Sequence, residues 1–379
     1  MRLAGDLTAE ALALFPGGVS SPLRAHRLVG GRPPELVRGR GGRVWDAEGR
    51  EHVDWMGAFG PLVVGHAHPE VVAAVAEAVA LGGPFGATAV QEVALGRALR
   101  ERMPSLELLR FCTSGTEAAM SAVRLARAAT GRDLVVAMEG GYHGHGDALL
   151  TGAPGLRTAT FGDLDSVERQ LRAHEGRVAA LVVEPVQGNA GVVAPGPGFL
   201  PGLRRLCDRN GALLVFDEVV TGFRVGPGGA QERYGVRPDL TVLGKIVGGG
   251  LPAACFGGRA ELMRLVAPSG PVPHAGTMAG HPAAMAAGLA TLRLLDDAAY
   301  ACLERLGRRL EAGLRAVGRV ARVGSMLTVF VEHDKAFAAL HGRLRRAGVL
   351  IPPSQREAWF VSTAHTEEDV ARTLEALRP

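Results

Sequence analysis

Lysine is almost missing from this chain. It occurs only at 245 and 335, so arginine supplies 40 of the 42 basic residues. The sequence uses arginine wherever a plain cation is enough. A lysine kept inside the apolar, glycine-rich stretch around position 245 therefore invites a chemical explanation. A guanidinium stays protonated and delocalised and forms no Schiff base. GC-rich coding would account for abundant arginine but not for the setting of Lys245. Cysteine is scarce too. Cys112, Cys207, Cys255 and Cys302 lie far apart, with no C-x-x-C pair and no metal-ligand spacing. That pattern offers neither a disulfide framework nor a metal centre, and a reduced cytoplasmic protein with free thiols is expected.

No apolar run is long enough to span a bilayer. The opening Met1-Arg2-Leu3-Ala4-Gly5-Asp6 lacks the basic-then-apolar run of a signal peptide, so a soluble intracellular protein is expected. Charge of one sign is also lacking. The net charge is only +4 despite a pI near 9.1, and the basic residues are scattered. Neither nucleic acid nor an anionic membrane is indicated as a partner. Linkers, repeats and low-complexity tracts are absent.

What is present is a long chain rich in core formers. Its 379 residues are 47% hydrophobic, which suits a large domain with a smaller satellite. The middle alternates apolar runs with helical patterns. Leu106–Cys112, Leu134–Met138, Val178–Val183, Ala212–Phe216, Leu240–Leu243 and Ala253–Phe256 read as strands. They are apolar throughout, as strands covered on both faces are. Glu117–Ala129 and Gly198–Arg209 read as helices between them. The expected fold class is α/β, a mainly parallel sheet flanked by helices, with a smaller α+β domain built from both termini. The expected division is an N-terminal segment 1–65, a large domain 66–282 and a C-terminal small domain 283–379.

Four segments fall just past the carboxyl ends of expected strands, where open α/β sheets bind ligands. Thr113-Ser114-Gly115-Thr116-Glu117 precedes a helix and would turn backbone N–H groups and hydroxyls toward an anion; a plain helix cap reads the same way. Gly140-Gly141-Tyr142-His143-Gly144-His145 offers an aromatic that can stack on a flat ring. Its two histidines have no third ligand at useful spacing, which favours core or supporting roles over a metal. Asp217 ends the run Leu214-Val215-Phe216 and can hold a pyridinium nitrogen protonated, or equally cap a helix or bind a metal. Lys245 sits in Leu243-Gly244-Lys245-Ile246-Val247-Gly248-Gly249-Gly250, where burial would lower its pKa and free the amine to react. A phosphate-binding P-loop is the competing reading, but Ile246 stands where Ser or Thr is needed. Phosphate loop, aromatic, acid and lysine, in that order, fit pyridoxal 5′-phosphate and little else.

These residues resemble the class III aminotransferases, fold type I enzymes of pyridoxal 5′-phosphate, and within them the glutamate-1-semialdehyde 2,1-aminomutase family. The resemblance runs nearly end to end. It includes Phe15-Pro16-Gly17-Gly18-Val19, Gly65-His66-Ala67-His68-Pro69, Glu184-Pro185-Val186-Gln187-Gly188-Asn189, Thr221-Gly222-Phe223-Arg224 and Ala275-Gly276-Thr277. Ser21-Pro22-Leu23-Arg24 and Pro353-Ser354-Gln355-Arg356-Glu357 are similar to the aminomutase branch in particular. The resemblance implies that Lys245 is the Schiff-base lysine and proton shuttle and that Asp217 partners the pyridine nitrogen. It implies a phosphate cradle of Ser114, Gly115 and Thr116, stacking by Tyr142, and Asn189 beside the cofactor's phenolic edge. Thr277 would reach the phosphate of the neighbouring subunit, which implies a homodimer with shared sites. Ser21 and Arg24 would contact the substrate carboxylate, Phe59 would wall the site, and Glu357 would lie near the substrate amino group. The implied reaction moves an amino group within (S)-4-amino-5-oxopentanoate to give 5-aminolevulinate, a tetrapyrrole precursor, through a diamine that must be retained.

The sequence also departs from that family. The segment between Tyr142 and Asp163, containing Thr151–Thr158, is much shorter than the family's mobile covering loop. The stretch between Val331 and Lys335 is short as well. Phe59 replaces the usual tryptophan, and His281 follows Gly280 where asparagine is usual. Two other readings stay open: an aminotransferase for a β- or ω-amino acid, and a binding protein of the same fold without turnover. Intact Lys245, Asp217 and Ser114 count against the second.

Overall fold

A computed structural model describes residues 7–378; Met1–Asp6, on which the signal-peptide expectation rests, and Pro379 lie outside the described residues. By contacts the chain forms two compact units. The larger holds Gly60–Leu62 and Pro69–Tyr300, and the smaller holds the chain up to Phe59, Val63–His68 and everything from Ala301.

The larger unit is organised by a seven-stranded sheet. Its strands are β1 (Leu108–Cys112), β2 (Leu134–Met138), β3 (Leu156–Ala159), β4 (Val178–Val183), β5 (Leu213–Asp217), β6 (Leu240–Leu243) and β7 (Ala254–Gly258), in the spatial order β1-β7-β6-β5-β4-β2-β3. All neighbours from β6 across to β3 pair parallel, whereas β7 runs antiparallel to both β6 and β1. Successive residues of one strand enter opposite cores. Val135 and Ala137 pack with the Gly115–Thr130 helix, while Leu134, Val136 and Met138 pack with the Leu164–Ala173 and Phe199–Asn210 helices. Both faces are therefore apolar, and the strands show no polar alternation.

Two expectations change here. Leu156, Arg157 and Thr158, read from sequence as the remnant of a covering loop, belong to the edge strand β3 paired with β2. The larger unit also runs to Tyr300 rather than to 282. The Pro282–Arg293 helix belongs with it because its buried alanines, Ala283 and Ala286, pack on the Pro69–Ala80 helix.

The smaller unit holds two small sheets. In one, Leu36–Arg40, Arg43–Asp46 and Glu51–Asp54 pair antiparallel, and Val349–Leu350 adds in parallel. In the other, Met326–Phe330 pairs antiparallel with Arg319–Val323 and Trp359–Phe360. Trp55 is fully buried, stacks on His365 at 4.0 Å and donates from Nε1 to Thr373 Oγ1 at 2.8 Å. That contact ties the N-terminal strands to the last helix, Glu367–Glu375.

Candidate cofactor site

The carboxyl ends of β1, β2, β4, β5 and β6 each deliver one element of the site. After β1 the chain enters the Gly115–Thr130 helix through Ser114, whose Oγ accepts from the Glu117 N–H at 3.2 Å. The Glu117 carboxylate in return accepts from the N–H groups of Thr113 (2.7 Å) and Ser114 (3.1 Å) and from Thr113 Oγ1 (2.6 Å). This reciprocal cap uses the N–H groups on either side and leaves those of Gly115 and Thr116 for an anion, at the positive end of a sixteen-residue helix. Gly115 is required by packing: a Cβ there would stand 3.0 Å from the side chain of Val219.

After β2 the loop carries Tyr142 and His143. The His143 ring is buried and Nδ1 lies 2.7 Å from Asp217 Oδ2. A carboxylate only accepts, so Nδ1 carries the proton. Asp217 Oδ1 accepts from the Val219 N–H at 3.1 Å. Burial alone lowers the His143 pKa, but the hydrogen bond and charge of Asp217, with the charge of Glu184, leave it raised. Gly144, at φ +86°, lies so close to Thr116 that a Cβ would stand 2.3 Å from its Oγ1. The aromatic loop and the anion cradle are thus pressed together.

After β4, Glu184 receives the N–H of Tyr142 at 2.8 Å and the N–H of Gly188 at 3.1 Å, which fixes the loop leading to Asn189. Burial pushes the Glu184 carboxyl up to about 7; the charge of His143 opposes this and that of Asp217 adds to it. After β6, Lys245 is half-buried and takes a left-handed conformation at φ 49°, a strained state for a residue with a side chain. Gly244 beside it faces Val219, where a Cβ would come within 3.2 Å. Val219 therefore lies against both the anion cradle and the lysine turn.

The structure brings Ser114, Gly115, Thr116, Tyr142, Asn189, Asp217 and Lys245 onto this one edge of the sheet. Tyr142 is 56% exposed, and Thr277 lies exposed in the segment before the Pro282–Arg293 helix. The other expected residues belong to the smaller unit. Ser21 and Arg24 bracket the Pro22–Ala25 turn, and the Arg24 side chain is exposed. Phe59 is half-buried at φ 64°, and Glu357 is buried just before the Trp359–Phe360 strand. Sequence reasoning leaves His143 as a supporting histidine without a partner, and it misses Glu117, Glu184 and Val219 as structural members of the site. Glu117 is signalled locally by the Ser-x-x-Glu spacing of its cap, whereas Glu184 and Val219 join the site only through the strand order.

A carboxylate held by an imidazole, two open backbone donors at a helix start and a strained lysine suit a phosphorylated, nitrogen-containing ring with a reactive carbonyl. Comparison with known proteins agrees. The profile described as Aminotransferase class-III matches residues 31–162 and 156–377. The chain belongs to the class III aminotransferases. The two matched stretches overlap at residues 156–162, which take in β3. Among curated class III relatives, the glutamate-1-semialdehyde 2,1-aminomutase of Thermomicrobium roseum is 49% identical, over all of this chain and 97% of its own length. Its counterpart from Anaeromyxobacter sp. is 47% identical over 99% and 97%. Among solved structures, the β-phenylalanine aminotransferase of Variovorax paradoxus superposes with a TM-score of 0.90 at 33% identity, covering 98% of this chain and 91% of that one. A glutamate-1-semialdehyde aminomutase from Pseudomonas aeruginosa gives 0.88 at 28%, covering 98% and 92%.

Proposed function

We propose that this class III chain is a pyridoxal 5′-phosphate enzyme that converts (S)-4-amino-5-oxopentanoate to 5-aminolevulinate for tetrapyrrole synthesis. The observation that carries the reading is end-to-end identity of 45–49% with curated relatives bearing the name of that activity. When bound, the cofactor supplies the electron sink and carries the amino group. Asp217, held by His143, keeps the ring nitrogen protonated. The N–H groups of Gly115 and Thr116, with the Ser114 hydroxyl, hold the phosphate; Tyr142 covers the ring and Asn189 meets its phenolic edge. Lys245 Nζ delivers a proton to substrate C5 and removes one from C4. Ser21 and Arg24 orient the substrate carboxylate, Phe59 walls the site and Glu357 lies near the amino group.

Two further elements belong to this reading. One is a homodimer in which Thr277 reaches the neighbouring subunit's phosphate. Leu81, Phe85, Val90 and Val93 are all more than half exposed, apolar surface that a neighbouring subunit would cover. The other is a reducing cytoplasm, supported by four unpaired cysteines, three of them buried. No helix among the described residues is long and apolar enough to cross a membrane.

A second reading rests on the solved structures. The ω-transaminase of Sphaerobacter thermophilus (32% identity) and the β-phenylalanine enzyme (33%) match in sequence somewhat better than the Pseudomonas aminomutase (28%). Substrate preference separates the two. kcat/KM for glutamate-1-semialdehyde is expected to exceed that for β-phenylalanine with a 2-keto acid acceptor by about 10⁴-fold, the scale on which a built polar site rejects a mismatched substrate. The reverse order would establish the aminotransferase.

A further inference from the structure

The stretch from Arg264 to His281 connects a short helix, Ala260–Met263, to the Pro282–Arg293 helix without regular structure of its own. Its base is a small turn closed by the Val266–Val272 bridge. Its tip, Ala275 to Met278, is exposed and carries Thr277. A connection this long with an open tip needs outside anchors to hold one shape. Two come from arginines. Arg110 on β1 donates to the Ala267 carbonyl at 2.8 Å, and Arg124 donates to the Pro273 carbonyl at 3.0 Å. A third is the His274 ring, which meets Phe256 edge-on at 5.3 Å.

Arg124 has a particular place. It lies on the helix that begins at Ser114, ten residues after that cap, about 15 Å along one rigid rod. One end of the rod holds the anion cradle of its own subunit. Further along, it holds the segment that, on the dimer reading above, completes the cradle of the other subunit. A cavity of about 350 Å³, lined by Glu117, Met120, Arg124 and the segment from His274 to Ala279, separates the helix from the tip. A cavity therefore lies beneath the tip, and the arginine–carbonyl bond four residues before Thr277 shares the holding with the His274 ring, which packs on Phe256.

We propose that Arg124 is a positioning residue that aims Thr277 at the partner's phosphate, so that its loss weakens cofactor binding in the neighbouring subunit and not in its own. The inference rests on the shared-site dimer. Arg124→Ala is expected to raise the apparent Kd for pyridoxal 5′-phosphate about tenfold, the effect of losing one charged hydrogen bond. Helix content and dimer mass should stay unchanged. Arg124→Lys, which keeps a charged donor, should recover most of the affinity. If Arg124→Ala does not accumulate, Arg124→Gln makes the same comparison.

Mixed dimers decide the point. Differently tagged Arg124→Ala and Lys245→Ala subunits are co-expressed and the hybrid is isolated. Its one lysine-bearing site receives Thr277 from the subunit whose Arg124 is intact, so it should bind the cofactor with wild-type affinity. A hybrid as weak as the Arg124→Ala homodimer overturns this inference and leaves the dimer reading standing. A wild-type protein that is monomeric overturns both. Wild-type affinity in the Arg124→Ala homodimer shows that Arg124 positions nothing.

Discussion

Lys245 and Asp217 show how differently single residues declare themselves. The rarity of lysine together with an apolar, glycine-rich setting singles out Lys245, and its left-handed backbone at φ 49° adds a strain that only a constrained turn sustains. Asp217 is legible as an acid ending a strand, but its partner is not. His143 lies 74 positions earlier and reaches it only because β2, β4 and β5 are neighbours in the sheet. Short-range pattern carries no information about such a pair. The histidine holds Oδ2 of the carboxylate while the Val219 N–H holds Oδ1, so the group is fixed in one orientation. At this scale the account predicts that purified protein absorbs in the visible as a yellow holoenzyme and that Lys245→Ala loses this band. It also predicts that the variant's rate falls by about 10³-fold or more, as removal of a covalent and proton-transferring group does. A variant with an unchanged spectrum would remove Lys245 from the site.

Elements are legible in proportion to how completely one face or both meet the core. The apolar strands β2, β4 and β6 have the bounds that the sequence suggests, because each is buried along its length. The edge strand β3 escapes a sequence reading, since only Leu156 and Ala159 are buried and Arg157 and Thr158 between them break the apolar run. Element contacts also set the response to acid. His26 ends the turn that carries Arg24, and its buried ring meets His341 of the Asp334–Arg346 helix edge-on at 5.4 Å. Burial first, and the charge of nearby Arg345 with it, lower both pKa values to about 4. The unfolded chain therefore takes up protons near pH 6.5 that the folded pair refuses. The pair's contribution is intact above pH 6.5 and is lost as pH falls toward 4. Replacing His341 by leucine removes one of these groups at similar volume. The drop in melting temperature between pH 7 and pH 5 is predicted to be smaller in His341→Leu than in wild type, by several degrees. An equal or larger drop would show that the pair does not titrate as the burial requires.

For the whole molecule, composition and the order of elements are enough to specify a large α/β unit with a smaller companion. The division between them is less legible. The Pro282–Arg293 helix is followed directly by the helices of the smaller unit, and its packing on the Pro69–Ala80 helix assigns it to the larger one. The two matched stretches of the family profile overlap at residues 156–162, over the edge strand β3, and the alignment with the Thermomicrobium relative spans 419 positions against the 379 residues of this chain. An intramolecular amino transfer needs its diamine kept until the second half of the reaction, so the shortened segment bears directly on the proposed activity. The most direct test is 5-aminolevulinate formation from glutamate-1-semialdehyde with no amino donor or acceptor added. The account predicts sustained turnover, many equivalents of product per site. A single burst, or product only when an amine donor is supplied, would contradict it and identify an aminotransferase.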